Sequence, residues 1–305
     1  MSPWLRAVLA AALVAAQPPS SDPLIRDSAI SKISEHVHVI SDLNVGLVPN
    51  VGIVVGTKGT LVVDTGLGPR NGETVRRVTN GVSANADLFV VSTHFHPEHA
   101  LGESAFPSSA KVIRARAQQK DIDEFGLALA KTFASRSPLV AQLLDNAEFR
   151  KADLLFDREY TLDLGGVRVR MLSLGPTHTR GDTMVWVEGD RILFAGDVVM
   201  NRTFVALASP YSSVQAWLAD FDQLERLHPV SIVPSHGPVG DASLIVDQRT
   251  MMKAIQLRAV ELKRQGRSAD ETASTVQREF QARYPDWMAP ARVALIARTA
   301  YGEAP

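Results

Sequence analysis

The sequence predicts an α/β protein: strands from end to end of the central region, interrupted once by helices and followed by more helices. Three observations carry that expectation. Short apolar runs recur from Val37 to Val233 and stop repeatedly at a polar residue. The stretch 115–148 instead spaces Leu127, Leu129, Ala130, Phe133, Leu139, Val140, Leu143 and Leu144 at helical intervals. Beyond 240 the tail is helical in pattern, and Ser268-Ala269-Asp270-Glu271 fits a capping box, serine on the third helical N–H and glutamate reaching back.

In chain order, His36-Val37-His38-Val39-Ile40 alternates, Gly52–Gly56 follows, and Thr60-Leu61-Val62-Val63 runs into Asp64-Thr65-Gly66. Residues 72–82 are helix-compatible. Leu88-Phe89-Val90-Val91 is a buried-strand run, and Lys111-Val112-Ile113 a shorter one. In the helical excursion Pro138 separates two helices, because it cannot continue a preceding one. Tyr160–Leu164 and Val167–Leu172 flank Gly165-Gly166, a hairpin signal. A second hairpin is expected from Met184–Val187 through Glu188-Gly189-Asp190 to Ile192–Ala195. Val214–Leu227 places Trp217, Leu218, Phe221, Leu224 and Leu227 on one side of a helix, and Val230–Val233 is a last strand before Pro234-Ser235-His236-Gly237.

The chain has 305 residues, 45% hydrophobic and 21% charged, an ordinary globular composition with enough length for a large core. Lys plus Arg (32) nearly balances Asp plus Glu (33), so no basic surplus steers it onto nucleic acid, and a small-molecule substrate is expected. Arg6 precedes the apolar stretch Ala7–Ala16, and Val14-Ala15-Ala16 has small residues where a signal peptidase cuts. That stretch is shorter than the about 20 apolar residues of a membrane span. The expected organisation is a signal peptide over 1–16, a Pro/Ser-rich linker over 17–30, a catalytic domain over 31–240 and C-terminal helices over 241–305 packed on the same domain. The protein is then periplasmic or secreted, without stable membrane insertion once the signal is removed; the absence of cysteine is compatible with that.

Polar landmarks fall where strands stop: Asp64, the hexad His94-Phe95-His96-Pro97-Glu98-His99, His178, Asp197 and His236. Strand ends are rigidly placed yet leave room for ligands. Five of the eight histidines sit on these landmarks. On an extended backbone His94 and His96 point the same way, while Pro97 turns Glu98 and His99 elsewhere. Imidazole with carboxylate suits zinc, with iron or manganese as alternatives. The competing account of the hexad is a set of solvated histidines at a loop tip. His36 and His38 share a strand face and read as exposed sheet surface; His228 reads as a helix-end residue. The segment 42–50 fits either an apolar flap over the site or a packed turn.

The order V-D-T-G (63–66), H-x-H-x-E-H (94–99), T-H-T-x-G-D (177–182), F-A-G-D (194–197) and S-H-G (235–237) resembles the metallo-β-lactamase-fold hydrolase superfamily over residues 35–240. The resemblance implies a four-layer αββα sandwich with a helical insertion, a helical C-terminal extension and a dinuclear metal site at one edge of the sheets. It implies two divalent ions: His94, His96 and His178 hold the first, Glu98, His99 and His236 the second, Asp197 bridges them, and Asp64 supports the loop from beneath. Glu98 and Asp197 are the expected catalytic groups. Two departures stand out. Glu98 replaces the aspartate usual in the family, and Thr177 a more common glycine. One β-lactamase subclass has cysteine in place of Asp197; this chain has no cysteine and is excluded from it.

Paired divalent ions about 3.5–4 Å apart lower the pKa of a shared water from about 16 towards 7 and make it the nucleophile. The resemblance therefore implies a metal-dependent hydrolase, and export favours a small cyclic amide or ester of β-lactam or lactone type. Two other readings stay open: a mononuclear iron oxygenase on the same fold, and a non-catalytic metal-binding accessory protein of a periplasmic pathway.

Overall fold

The computed structural model describes residues 22–305. The expected signal over 1–16 lies outside the described residues, as does the first part of the linker. The rest of the expected linker is corrected: Ile25 is buried, its N–H donates to Asn71 Oδ1 at 2.8 Å, and Asn71 Nδ2 donates to Pro23 O at 3.0 Å. Apolar Leu24 and Ile25 find core to pack against, which a solvated connector would forgo.

Seven strands form the first sheet in spatial order β1 (Ile30–Lys32), β2 (Val37–Ile40), β3 (Val51–Val55), β4 (Gly59–Val63), β5 (Asp87–Val91), β6 (Lys111–Ala115) and β7 (Leu154–Phe156). β1 to β4 pair antiparallel and β4 to β7 parallel. Parallel neighbours need crossovers. α1 (Gly68–Val82) joins β4 to β5, and the hexad with its short helix α2 (Pro97–Ala100) leads from β5 to β6. The second sheet contains β8 (Glu159–Asp163), β9 (Arg168–Leu172), β10 (Met184–Val187), β11 (Ile192–Gly196) and β12 (Ser231–Pro234), ordered β12-β11-β10-β9-β8. The Gly165-Gly166 turn between β8 and β9 takes φ of +86° and +80°, the left-handed conformation that glycine reaches without a Cβ clash.

Alternation along the strands makes the layers. Val37, Val39, Val54, Leu61, Val63 and Val91 face inward onto Val169, Met171, Val185, Val187 and Phe194 of the second sheet. The intervening Ile53, Val62, Val90 and Val112 face outward and pack with Val75 and Val78 of α1. On the far side Trp186, Leu193 and Ile232 meet helices from the second half of the chain. The result is helix, sheet, sheet, helix, the αββα sandwich expected from the sequence.

The excursion between β6 and β7 is helical, as its spacing predicts, and more broken. α3 (Arg116–Asp121) passes through a π-helical turn (Ile122–Gly126) into α4 (Leu127–Ala134), and α5 (Pro138–Leu143) starts after Ser137, whose hydroxyl accepts from Val140 N. Leu129, Phe133, Val140 and Leu143 close over Leu67 and Phe95, so the insertion covers one flank of the hexad. α6 (Val214–Glu225) separates β11 from β12. The tail forms α7 (Ser243–Arg264), α8 (Ala269–Arg283, with the expected Ser268–Glu271 capping box) and α9 (Arg292–Glu303), all packed in the cluster around Trp186 and Trp217. Among the described residues no helix is long and apolar enough to cross a membrane.

Register decides which loops meet. Val63 pairs with Val91, so the residues after both strands, Asp64 and the hexad, leave the sheet side by side. Gly196 pairs with Pro234, which sets Asp197 beside His236.

Candidate metal centre

The five separated landmarks converge. His94, His96 and His178 offer ring nitrogens within 4.8 Å of one another, as do donor atoms of Glu98, His99 and His236; His94, His99 and Asp197 form a third group that spans the two. Ring centroids are 4.5 Å apart for His94 and His96, 4.7 Å for His94 and His178, and 4.1 Å for His94 and His99. Asp197 Oδ2 lies 3.5 Å from His178 Nε2, and Oδ1 lies 4.0 Å from His236 Nε2.

The solvated loop tip is excluded by burial. His94, His96, Glu98, His99 and His178 are all buried, yet His94 Nε2, His99 Nε2, Glu98 Oε2 and Asp197 Oδ1 have no hydrogen-bond partner among the described residues. Buried polar atoms are rarely left unpaired, since each costs about 1–3 kcal/mol. A cluster of them aimed at one point fits divalent metal, which takes the lone pairs that nothing else does.

The outer ring nitrogens support the same fit. His178 Nδ1 is 2.7 Å from Ala206 O and His236 Nδ1 is 2.9 Å from Val48 O. A carbonyl only accepts, so each Nδ1 carries the proton and each Nε2 turns its lone pair inward. His99 Nδ1 is likewise 2.9 Å from Asp64 Oδ2. Fixing one nitrogen to orient the other is the common arrangement of metal-ligating imidazoles. His96 differs: its Nδ1 faces the cluster, 3.4 Å from His178 Nε2.

The ionisation of these groups differs from one to the next, and a metal at His99 Nε2 takes the place of a proton. Burial, together with the neighbouring imidazoles, pushes His94 and His96 well below the usual histidine range, so both are neutral. Burial would do the same to His99, but Asp64, with Glu98 and Asp197, outweighs it and lifts His99 to about 9. Burial also opposes ionisation of Asp197, yet His178, His236 and His99 hold it well below the usual carboxylate range.

Asp64 sits directly after β4 and accepts from Thr93 N at 2.7 Å and Thr93 Oγ1 at 3.0 Å, so it anchors the strand-to-hexad transition as well as His99. The carbonyl of His99 is held by Thr65 N and Thr65 Oγ1, each at 2.9 Å. Deeper, Ser92 Oγ donates to Glu103 Oε1 at 2.8 Å, and Glu103 Oε2 accepts from Arg114 Nη2 at 2.6 Å, a buried pair beneath the loop.

Several supporting residues carry no role in the sequence reading. Asp182, the last residue of T-H-T-x-G-D, accepts from Thr177 Oγ1 at 2.5 Å, Thr179 N and Thr179 Oγ1, and so brackets His178 on both sides. Thr177, in place of glycine, thereby supplies a bond that glycine lacks. The segment 42–50 is a packed turn, not a flap. Asn50 Nδ2 donates to Pro234 O and Gly237 O, Gly237 N donates to Asp42 Oδ2, and the segment is thus tied to the His236 loop. His36 and His38 are half-buried, not exposed: His36 Nδ1 is 3.0 Å from Asp190 Oδ1, a contact between the sheets. His228 follows α6 with φ +51°, a helix-end residue as read.

A family model described as the metallo-beta-lactamase superfamily matches residues 45–236. The chain is 25% identical over 228 residues to a metallo-beta-lactamase type 2 of Bacteroides fragilis, covering 72% of this chain and 83% of that protein. It is 26% identical over 193 residues to the acyl-coenzyme A thioesterase MBLAC2 of Homo sapiens, 58% of this chain and 67% of that one. Among solved structures, the stereoselective inverting sec-alkylsulfatase Pisa1 from Pseudomonas sp. superposes with TM-score 0.69 at 14% identity, covering 96% of this chain and 54% of its own. The chain thus spans about half the length of that structural neighbour, and at this identity the likeness is one of fold.

Proposed function

Because the chain belongs to the metallo-beta-lactamase superfamily, a family of hydrolases, we propose that it is a dinuclear metallohydrolase acting on a small cyclic amide or ester. The observation that carries the reading is the set of inward-facing, partnerless donor atoms in two groups with Asp197 between them. His94, His96 and His178 would hold one ion, and Glu98, His99 and His236 the other. When bound, two divalent ions would supply an activated water at neutral pH and polarise the carbonyl under attack. Asp197, kept ionised by the imidazoles around it, would orient the attacking water, and the Glu98 carboxylate would accept its proton and return it to the leaving group through the oxygen that does not hold the ion. Export by the Arg6 and Ala7–Ala16 signal is part of the same proposal. The lactamase relative supports a lactam or lactone; the thioesterase relative and the alkylsulfatase neighbour make thioesters and sulfate esters the controls.

The test joins metal analysis of purified protein to a hydrolysis screen of lactams, lactones, thioesters and alkyl sulfates. Two zinc ions per chain with lactam or lactone turnover are expected, and His96→Ala should abolish turnover. Glu98→Asp should leave the fold intact and change kcat, because the shorter arm moves the proton acceptor. One iron per chain with oxygen uptake, or full activity in His96→Ala, would overturn the reading.

A further inference from the structure

The first group of candidate ligands draws on both sheets: His94 and His96 from the hexad after β5, His178 from the loop after β9. Helix α3 of the insertion lies between these two sources and touches both. On the hexad side Gln118 is buried, and its Nε2 donates to Ser92 O, two residues before His94, at 3.2 Å. On the other side Gly181 packs so tightly on α3 that a Cβ would collide with Gln118 N and Gln118 Cα. Arg180, two residues after His178, closes the contact. Its backbone N–H donates to Asp121 Oδ2 at 3.0 Å, and its Nη2 lies 2.9 Å from Asp121 Oδ1 and 3.0 Å from Glu124 Oε2.

Exposed ion pairs contribute little, but this one is sheltered: the Asp121 side chain has no exposed surface and that of Arg180 keeps 20%. Burial pushes the Asp121 carboxyl up to about 7 against the pull of Arg180, so loss of the guanidinium leaves a buried acid unpaired. Asp121 ends α3, and the π-helical turn that follows carries Glu124 to the same guanidinium. Such turns are frequent at functional sites. The guanidinium also stacks 4.4 Å over the Tyr211 ring. Tyr211 lies in the segment whose Ala208 N and Ser212 Oγ hold the His178 carbonyl at 2.8 and 3.1 Å. Arg180 is thus matched in charge by Asp121 and Glu124, and acts through the protein.

We propose that Arg180 is a positioning residue: its ion pair with Asp121 clamps the His178 loop onto α3 and sets the spacing between His178 and the His94–His96 pair. This rests on the metallohydrolase reading and gives the insertion a second task beyond covering the hexad. Ring centroids in the trio stand 4.5, 4.7 and 4.8 Å apart. Zinc holds imidazole nitrogens at about 2.0–2.1 Å, and a site tolerates displacements of only about 0.5 Å before it loosens. A His178 loop released from α3 no longer meets that limit. The second group is fastened elsewhere, His99 by Asp64 and His236 by Val48 O, so the clamp should not affect it.

The test measures zinc affinity of the full chain by chelator competition at pH 8, where Asp121 is ionised. A His236→Ala background leaves the trio as the complete group. In it, Arg180→Ala and Asp121→Asn should each weaken zinc binding about tenfold or more. Asp121→Asn keeps an acceptor for the Arg180 N–H, so it removes the charge alone. The double variant should lose no more than Arg180→Ala does, because both changes break one pair, and Arg180→Lys should restore part of the affinity. Additive losses, or wild-type affinity in either single variant, would overturn the proposal. A His178→Ala background leaves the second group instead, and there Arg180→Ala should change nothing. Equal weakening in both backgrounds would mean general softening of the fold and also overturns it. If Arg180→Ala does not fold, Arg180→Lys and Asp121→Asn carry the comparison, and undiminished affinity in both is the refuting result. A wild type that binds two zinc ions, with variants that match it, sinks this inference alone. A wild type that takes up no metal sinks the metallohydrolase reading instead.

Discussion

Asp64 occupies the left-handed region, φ +64°, where residues other than glycine are uncommon and aspartate is among the better tolerated. That conformation turns its carboxylate back under the hexad, where one oxygen accepts from Thr93 N and the other meets His99 Nδ1. Asparagine tolerates the same backbone, so Asp64→Asn should fold; it loses the charge that holds the His99 proton on Nδ1. Metal affinity, read by chelator competition, should drop about ten- to a hundredfold, the usual consequence of removing an outer partner of a ligating histidine. Unchanged affinity would reduce Asp64 to a turn residue. Asp220 illustrates a different residue-scale effect, away from the cluster. Burial in α6, with Asp182 adding its charge and Arg158 opposing, raises its carboxyl to about 7. A folded pKa raised above the unfolded value means the fold prefers the protonated acid: that stability is complete below the unfolded carboxylate range near pH 4 and is lost as pH rises through about 7. Asp220→Asn keeps a neutral side chain at every pH. Its Tm should therefore fall less than that of the wild type between pH 5 and pH 8, and parallel Tm profiles would refute the assignment.

At the scale of elements, strand ends were legible and their supports were not. Alternation from Val37 to Ile40 and the continuous run from Leu88 to Val91 follow from a two-residue period and from burial on both faces, and both appear as strands within a residue or two. β1 and β7, three residues each at the edges of the first sheet, are too short to show a period, and their pairing is decided by the neighbours they reach. The site ligands could be read because they are chemically unusual residues in a family order. The turn 42–50 could not, since Asp42 and Asn50 act through backbone groups nearly two hundred positions away in sequence. That turn makes a prediction. Asn50 bonds to Pro234 O and Gly237 O on both sides of His236, and Val48 O holds the His236 ring. Asn50→Ala should loosen the loop that carries His236 while leaving His94, His96 and His178 in place. Titration with zinc should then show one tight site and one weakened site; equal weakening of both would mean the turn supports the fold and not that ligand.

At the scale of the whole molecule, the question is how far residues 31–240 depend on the tail helices that the sequence reading packs on the same domain. The outer face of the second sheet argues that they depend on them for folding. Trp186, Leu193, Ile232, Trp217 and Phe221 are buried in one cluster with Leu244, Ile245, Met251, Met252, Ile255, Phe280, Val293 and Ile296 of the tail helices. Each large apolar side chain taken out of water is worth about 1.5–3 kcal/mol, so stripping this layer removes more than the 5–15 kcal/mol that typically separates a folded domain from its unfolded chain. Polar ties follow the same path. Gln248 Nε2 in α7 donates to Met200 O and Thr203 O, in the loop that follows Asp197. The carboxylate of Glu303, at the end of α9, accepts from Val214 N and Gln215 N and so satisfies the first turn of α6. A chain cut after Asp241 should accordingly be aggregated or molten, with strong binding of a hydrophobic dye and no cooperative thermal transition, and zinc should not rescue it. A soluble, cooperatively melting fragment with normal zinc uptake would show instead that the tail is an accessory layer.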